Sequence, residues 1–149
     1  MLNISPPPYY PESYFQNPRM WIGAAGCVTP LHKDSSDNFS LQIFGTKRWV
    51  LFPVRDYPYL YLRQPRPDTY PGFSCSQVDV RKPEYDRFPL YRHACGLEVE
   101  VNAGEVLYVP AGWSHYVETV STSLMVNYWI RSDRLPACLE QAADHGTDS

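Results

Sequence analysis

Several features that define other classes of protein are missing from this sequence. No run of about 18 apolar residues is available to span a bilayer. Residues 1–8 have neither the basic start nor the apolar core of a signal peptide. We therefore expect no membrane partner and a cytoplasmic location, or a cytoplasmic or nuclear one if the source is eukaryotic.

Closely spaced cysteine pairs and a positive net charge are also missing. Cys27, Cys75, Cys95 and Cys138 form no C-x-x-C pair and none of the spacings of a zinc site, so we expect free thiols in a reducing compartment. The formal net charge is −3, which gives the chain no overall basic field to attract nucleic acid or an anionic membrane. A nucleic-acid substrate would need a local basic patch instead.

Glycine is scarce as well, with 8 residues against 15 prolines, and this ratio indicates stiff loops. Aromatic residues make up 15% of the 149 residues, and a chain of this length and composition is typical of one aromatic-rich β domain. We divide the chain into a proline- and tyrosine-rich arm over residues 1–19, a main domain over 20–131, and a short helix with a tail over 132–149.

Eight short strand-like runs follow the arm, with turn residues between them. They cover residues 20–23, 27–32, 39–44, 47–52, 97–101, 106–109, 115–120 and 123–129. Gly45-Thr46 is the type of two-residue link that makes a tight hairpin. A proline-rich insertion over residues 54–96 is the kind of long loop that usually serves function. The pattern predicts an all-β jelly roll or closed sandwich, with a long insertion between the fourth and fifth strands and a C-terminal helix at Arg134–Ala143.

A His-x-Asp triplet on the second predicted strand is the first candidate site. In an extended strand, residues i and i+2 project to the same side, so His32 and Asp34 can face one metal ion while Lys33 faces away. Taken alone, such a triplet usually marks only a polar strand end. Of the 4 histidines, only His32 and His115 have apolar, strand-like surroundings, although a buried histidine is often only a hydrogen-bonded core residue. Two imidazoles and one carboxylate are the facial triad of non-haem Fe(II) oxygenases.

The sequence resembles a known family in segments that are collinear over about residues 20–131. They are Trp21-Ile22-Gly23, Val28-Thr29-Pro30-Leu31-His32-Lys33-Asp34, Asn38-Phe39, Gly45-Thr46-Lys47-Arg48, residues 76–80, 83–89 and 104–110, Trp113-Ser114-His115 and Val126-Asn127-Tyr128-Trp129. The resemblance is to the JmjC or cupin-like Fe(II)/2-oxoglutarate hydroxylases, most closely to the branch of the factor-inhibiting-HIF asparaginyl hydroxylase. It implies a double-stranded β-helix in which His32, Asp34 and His115 bind Fe(II).

The resemblance also implies a site for 2-oxoglutarate beside the iron, with O₂ as the other co-substrate. Lys47 matches the lysine that pairs with the distal carboxylate of 2-oxoglutarate, and Thr29 matches a hydroxyl that helps to bind it. Asn38 and Asn127 match amides that line the co-substrate site, and Trp129 matches an aromatic wall near the iron. A dianion in a desolvated barrel needs a compensating cation, which a lysine ammonium supplies.

The sequence leaves other interpretations open. Close relatives have a large N-terminal region, from which a tyrosine reaches the co-substrate, and C-terminal dimer helices; none of Tyr9, Tyr10 and Tyr14 can be assigned that role. A protein or peptide side chain is the expected substrate, and a tRNA base or a small molecule is an alternative. The chain could also be a truncated, non-catalytic module that binds a metal, a ligand or a partner. A zinc- or manganese-dependent cupin hydrolase or isomerase would act without O₂.

Overall fold

The computed structural model describes residues 4–63 and 74–131. Nine strands lie within these ranges: β1 Arg19–Gly23, β2 Val28–Lys33, β3 Asn38–Phe44, β4 Thr46–Phe52, β5 Ser74–Cys75, β6 Leu97–Asn102, β7 Val106–Val109, β8 Ser114–Thr119 and β9 Ser123–Trp129. The three short helices of the same ranges are 3₁₀ helices at Glu12–Tyr14, Val54–Tyr59 and Pro89–His93. Every strand predicted from the sequence is present, and β5 is an addition of two residues. None of the described helices has the length and apolar character needed to cross a membrane.

The strands form two antiparallel sheets that pack face to face. One sheet has the order β1-β9-β3-β7, and the other has the order β5-β2-β8-β4-β6. Strands that are distant in the chain are therefore neighbours, as β2 and β8 are. This crossed order is that of a jelly roll, so the predicted all-β fold is confirmed.

Side chains that point inward from alternate positions of the strands form the core between the two sheets. Trp49, Leu51, Val117 and Met125 are buried in this core with Val101 and Val109. Trp49 is only 1% exposed, and burial of so large a side chain contributes on the order of 3 kcal/mol of apolar transfer free energy. The same inner face carries the polar residues of the candidate site, because they lie at alternate positions of the same strands as these apolar residues.

The predicted hairpin at Gly45-Thr46 is wrong. β3 pairs with β7 and β9, whereas β4 pairs with β6 and β8, so this link carries the chain from one sheet to the other. Gly45 has φ +71°, and a Cβ there would collide with the backbone oxygen of Thr122. The glycine is required by a sharp corner between sheets, and the sequence signal of such a corner is the same as that of a tight hairpin.

The two outer faces of the sandwich are covered by segments that lack long strands. The described parts of the insertion pack on the five-stranded sheet, where Leu60, Val78, Phe88 and Tyr91 meet Leu31, Val50, Phe52 and Tyr116. The N-terminal arm packs on the other sheet, where Phe15 and Tyr10 contact Phe39. The predicted helix Arg134–Ala143 and Cys138 lie outside the described residues.

Candidate metal centre

Two histidines face each other across neighbouring strands at one end of the core. β2 and β8 pair antiparallel with His32 opposite His115. Their ring centroids are 4.2 Å apart, and both side chains are buried. His115 lies in register with Leu51 of β4, a core residue, so the imidazoles point between the sheets rather than out to solvent. The fold therefore brings together the two histidines that were singled out from the sequence.

Asp34 completes a cluster with the two imidazoles. It follows β2 directly, and its Oδ2 atom lies 4.0 Å from Nε2 of His115. One ligand atom from each of His32, Asp34 and His115 can be chosen so that all three lie within 4.8 Å of one another. Trp129 on β9 donates a hydrogen bond from Nε1 to Asp34 Oδ2 at 3.2 Å, which links the carboxylate to the opposite sheet.

Backbone carbonyls fix the orientation of both imidazoles. Nδ1 of His32 lies 2.8 Å from the carbonyl oxygen of Pro30, and Nδ1 of His115 lies 3.3 Å from that of Trp113. Because a carbonyl can only accept, each Nδ1 must carry a proton, which leaves Nε2 as the ring nitrogen that can bind a metal ion. Such a backbone bond on the far ring nitrogen is the usual support of a metal-binding histidine.

The protonation state of His115 suits a metal ligand. Burial, with a smaller contribution from the neighbouring His32, lowers the pKa of His115 to about 3. The ring is therefore neutral at physiological pH, and its 4.0 Å approach to Asp34 is not an ion pair. A neutral imidazole is the form that binds a metal ion, so the donor set fits a divalent cation without the loss of a proton from this ring.

A cavity of about 410 Å³, counted with its open mouth, extends from this cluster between the sheets. Its lining includes the three residues of the cluster together with Trp21, Thr29, Lys47, Trp49, Val117, Met125, Asn127 and Trp129. The metal cluster lies at one end, and Lys47 lies near the start of β4, where it pairs with Thr119 at the far end of β8. One cavity thus contains both a candidate metal site and a candidate anion site.

Lys47 is a buried cation with a hydroxyl as its partner. Its side chain is 7% exposed, and Nζ donates to Oγ1 of Thr119 at 2.9 Å. Burial lowers the pKa of Lys47, and the opposing effect of the Cys27 thiol is smaller. Within residues 4–63 and 74–131, no carboxylate pairs with this ammonium group. A buried ammonium of this kind is stabilised by an anion, and the cavity gives an anion access to it.

The predicted amides are connected through a serine. Asn127 lines the cavity, whereas Asn38 lies beside it rather than on its wall. Both amides donate from Nδ2 to Oγ of Ser40, at 3.1 Å from Asn127 and 3.3 Å from Asn38. The Oδ1 atoms of both are buried without a hydrogen-bond partner among the described residues. These acceptors are polar groups that a ligand or an ordered water molecule could satisfy.

Several residues of the site were missed in the sequence. Trp49 packs against His115 with ring centroids 5.6 Å apart, and Thr119 is the partner of Lys47. Ser40 joins the two amides, and Trp21 lines the cavity. Their residue types are ordinary in strands, but their positions carry a signal. Trp49 lies an even number of residues from Lys47 on β4, and Thr119 lies an even number from His115 on β8. Because side chains alternate between the two faces of a strand, both are expected on the inner face.

Comparison with known proteins gives the chain a family. The family described as "Cupin-like domain" matches residues 3–134. Human HSPB1-associated protein 1 is 40% identical over 124 residues, which are 81% of this chain and 25% of that protein. JmjC domain-containing protein D of Dictyostelium discoideum is 39% identical over 106 residues, which are 71% of this chain and 23% of that protein. The tRNA wybutosine-synthesizing protein 5 of Gallus gallus is 32% identical over 146 residues, 97% of this chain and 42% of that protein.

A solved structure has the same fold. The X-ray structure of E. coli ycfD superposes with a TM-score of 0.55 at 18% identity, over 91% of this chain and 31% of that one. Because the identity is low, this likeness supports the fold alone. The chain spans between 23% and 42% of the length of the three relatives named above. The match over residues 3–134, the JmjC-named relative and the jelly roll together show that this chain belongs to the cupin-like domain family.

Proposed function

We propose that the protein is an Fe(II)- and 2-oxoglutarate-dependent oxygenase that hydroxylates a C–H bond. The observation that carries this proposal is the placement of His32, Asp34 and His115 in one cavity with the buried ammonium of Lys47. A metal site without an anion site would fit many reactions of cupin-like proteins and would not distinguish among them. The combination is what a chelating, dianionic co-substrate requires.

The residues at the metal end fit Fe(II). His32, His115 and Asp34 would bind Fe(II) through two imidazole nitrogens and one carboxylate, a donor set that leaves coordination positions for other ligands. Bound Fe(II) would supply activation of O₂, coupled to the oxidative decarboxylation of 2-oxoglutarate to succinate and CO₂ and to transfer of one oxygen atom to the substrate. Trp129 holds the Asp34 carboxylate by its indole N–H, and the carbonyls of Pro30 and Trp113 hold the two rings.

The residues at the other end fit the co-substrate. Lys47 provides the positive charge for the distal carboxylate of 2-oxoglutarate, and the Thr119 hydroxyl holds that ammonium in place. Thr29 lies on the same wall and offers a further hydroxyl. Trp49, Val117 and Met125 give the cavity apolar walls, which would strengthen an ion pair between Lys47 and a bound carboxylate.

A protein or peptide side chain is the substrate class that we propose. One relative is named for its association with the protein HSPB1, and another for the synthesis of tRNA wybutosine. The net charge of −3 favours a protein over a nucleic acid. The closer assignment to the asparaginyl hydroxylase branch stays a prediction, and its specific consequence is a hydroxylated asparagine in the substrate.

Succinate formation tests the proposal. The purified protein, loaded with Fe(II) and supplied with ascorbate, 2-oxoglutarate and O₂, is expected to produce succinate, with and without a peptide library. Turnover is expected to stop when O₂ is removed. Asp34→Ala is the inactive control, and Asp79→Ala, which removes an exposed carboxylate of the insertion, is the matched control. A peptide that gains one oxygen by mass spectrometry identifies the substrate.

The alternatives predict different outcomes in the same assay. A non-catalytic module would bind 2-oxoglutarate but form no succinate with any candidate substrate. A zinc- or manganese-dependent hydrolase or isomerase would keep its activity under argon. A tRNA or small-molecule hydroxylase would transfer one oxygen to that substrate and none to peptides.

A further inference from the structure

The turn at residues 110–113, here named the bridging turn, contacts two of the three proposed ligands. The amide of Gly112 donates to the carbonyl oxygen of Asp34 at 3.0 Å. The carbonyl of Trp113 accepts the hydrogen bond from the His115 ring. The turn itself closes by a bond from the amide of Trp113 to the carbonyl of Pro110 at 3.1 Å. The turn is therefore bonded to the backbone of one proposed ligand and to the ring of another.

Asp37 holds the bridging turn from the side of the four-stranded sheet β1-β9-β3-β7. Its Oδ1 atom accepts from the amide of Ala111 at 2.9 Å and from the hydroxyl of Tyr108 at 2.6 Å. Its backbone oxygen accepts from the amide of Ile130 at 2.9 Å, directly after Trp129. The Asp37 side chain is 8% exposed, so these bonds are shielded from water. Burial and the bond to Asp37 raise the pKa of Tyr108, which keeps its hydroxyl a donor.

The other side of the turn is held by the insertion. Tyr57 donates from its hydroxyl to the carbonyl of Gly112, and its ring lies 4.9 Å from the ammonium of Lys33. Gly112 has φ +79°, and a Cβ at this position would lie 3.2 Å from the Tyr57 hydroxyl. The turn is thus fixed between Asp37 and Tyr57 in a conformation that favours glycine.

We propose that Asp37 is a positioning residue for the metal centre, acting through the bridging turn on Asp34 and His115. This inference rests on the proposed function, because it assigns to Asp37 a role in the geometry of the same ligand set. Within the described part of the chain, Asp37 forms no hydrogen bond with the proposed metal ligands and does not line the cavity; it acts by fixing the amide of Ala111. Loss of a group bonded directly to a metal ligand typically changes metal affinity by about 10- to 100-fold, and we expect the lower end of this range for Asp37 because it acts through the turn.

Co(II) binding tests this role without any need for turnover. The affinity is measured by calorimetry with Co(II) alone, and the visible absorption of bound Co(II) reports the geometry of its ligands. Asp37→Ala is expected to lower the Co(II) affinity about 10-fold or more and to change the spectrum. Asp37→Asn keeps an oxygen that accepts the same two bonds, so its affinity is expected to stay within about 3-fold of the unsubstituted protein.

Two further variants separate positioning from loss of stability. Phe88→Leu reduces a buried contact in the outer cluster and removes none of the hydrogen bonds that hold the turn, so it is expected to lower the melting temperature but not the Co(II) affinity. Gly112→Ala strains the turn without touching Asp37 and is expected to weaken Co(II) binding as Asp37→Ala does, which keeps the test decisive if Asp37→Ala fails to fold.

The outcomes distinguish the two proposals. Unchanged Co(II) affinity and spectrum in Asp37→Ala, or in Gly112→Ala if only that variant folds, would overturn the positioning role and leave the proposed function intact. Failure of the unsubstituted protein to bind Co(II) would overturn the proposed function, and the role of Asp37 with it.

Discussion

The two ends of the cavity differ in how their polar groups are held. At the metal end, each ring of His32 and His115 has a carbonyl partner and Asp34 has the indole of Trp129. At the other end, the buried ammonium of Lys47 donates to the neutral hydroxyl of Thr119, and no carboxylate among the described residues pairs with it. The metal end is therefore preorganised by the protein, whereas the lysine end needs an anion for its charge to be neutralised. This difference predicts that substitutions at the two ends have separable effects.

Asp34→Ala is expected to have the largest effect. It removes the single carboxylate of the cluster, so metal binding and turnover fall below detection, by roughly 100-fold or more. Calorimetry with Co(II) and the succinate assay measure the two losses, with Asp79→Ala as the control. Turnover close to that of the unsubstituted protein in Asp34→Ala would contradict the assigned ligand set.

Lys47→Ala is expected to have the next largest effect, and only at its own end. Loss of a buried charge partner costs about 2–5 kcal/mol, so the apparent KM for 2-oxoglutarate should rise by roughly 30-fold or more. The Co(II) affinity should stay unchanged, because Lys47 does not contact the cluster. Lys82→Ala on the exposed insertion is the matched control. Equal effects of Lys47→Ala on metal and 2-oxoglutarate would remove the distinction between the two ends.

Lys47→Met sharpens the same comparison through stability. It replaces a buried ammonium without an anionic partner by an apolar side chain of similar length, which is expected to raise the free energy of unfolding by about 1 kcal/mol without 2-oxoglutarate. Added 2-oxoglutarate should stabilise the unsubstituted protein and not this variant. Chemical denaturation with and without 2-oxoglutarate measures both effects. A lower free energy of unfolding in Lys47→Met than in the unsubstituted protein would contradict the view that the buried ammonium destabilises the fold.

Trp129→Phe is expected to weaken the metal end moderately. It keeps an aromatic wall but removes the hydrogen bond to Asp34, which as a bond to a charged group contributes about 1.5–3 kcal/mol. The Co(II) affinity should therefore fall by roughly 10- to 100-fold, toward the lower end because the carboxylate is partly exposed. Calorimetry measures the change, and an unchanged affinity would show that the indole only covers the site.

Thr119→Val is expected to have the smallest effect. It keeps the shape of the side chain and removes the hydroxyl that holds Lys47, a bond of about 1 kcal/mol. The apparent KM for 2-oxoglutarate should rise by roughly 5-fold, with the metal affinity unchanged. A larger loss than in Lys47→Ala would mean that Thr119, and not the lysine, is the main contact of the co-substrate.

The sequence was a good guide to the site where residue type and strand period agreed. The spacing of His32 and Asp34 and the apolar setting of His115 predicted a cluster that β2 and β8 do bring together. Thr119 and Trp49 were missed because threonine and tryptophan are common in strands for reasons of packing alone. Their roles depend on which strands are neighbours, and that is a property of the sheet order rather than of local sequence.

The sequence was a poorer guide to connections and covering layers. Gly45-Thr46 was interpreted as a hairpin, but the link is a corner between sheets, and only strand pairing distinguishes the two. The insertion was expected to serve function as a loop, and that prediction stays open. Its described parts pack against Leu31 and Tyr116 as a covering layer and bring Tyr57 to the bridging turn.

The central claim is that one cavity binds a metal at one end and 2-oxoglutarate between that metal and Lys47. Anaerobic calorimetric titration of 2-oxoglutarate into the protein, with and without Co(II), tests it most directly when it is repeated with Asp34→Ala, Lys47→Ala and the double variant. The account predicts that 2-oxoglutarate binds tightly only when the metal and both residues are present. It also predicts that the loss of binding free energy in the double variant differs from the sum of the losses in the two single variants. Equal binding with and without metal, or in Asp34→Ala and the unsubstituted protein, would contradict it.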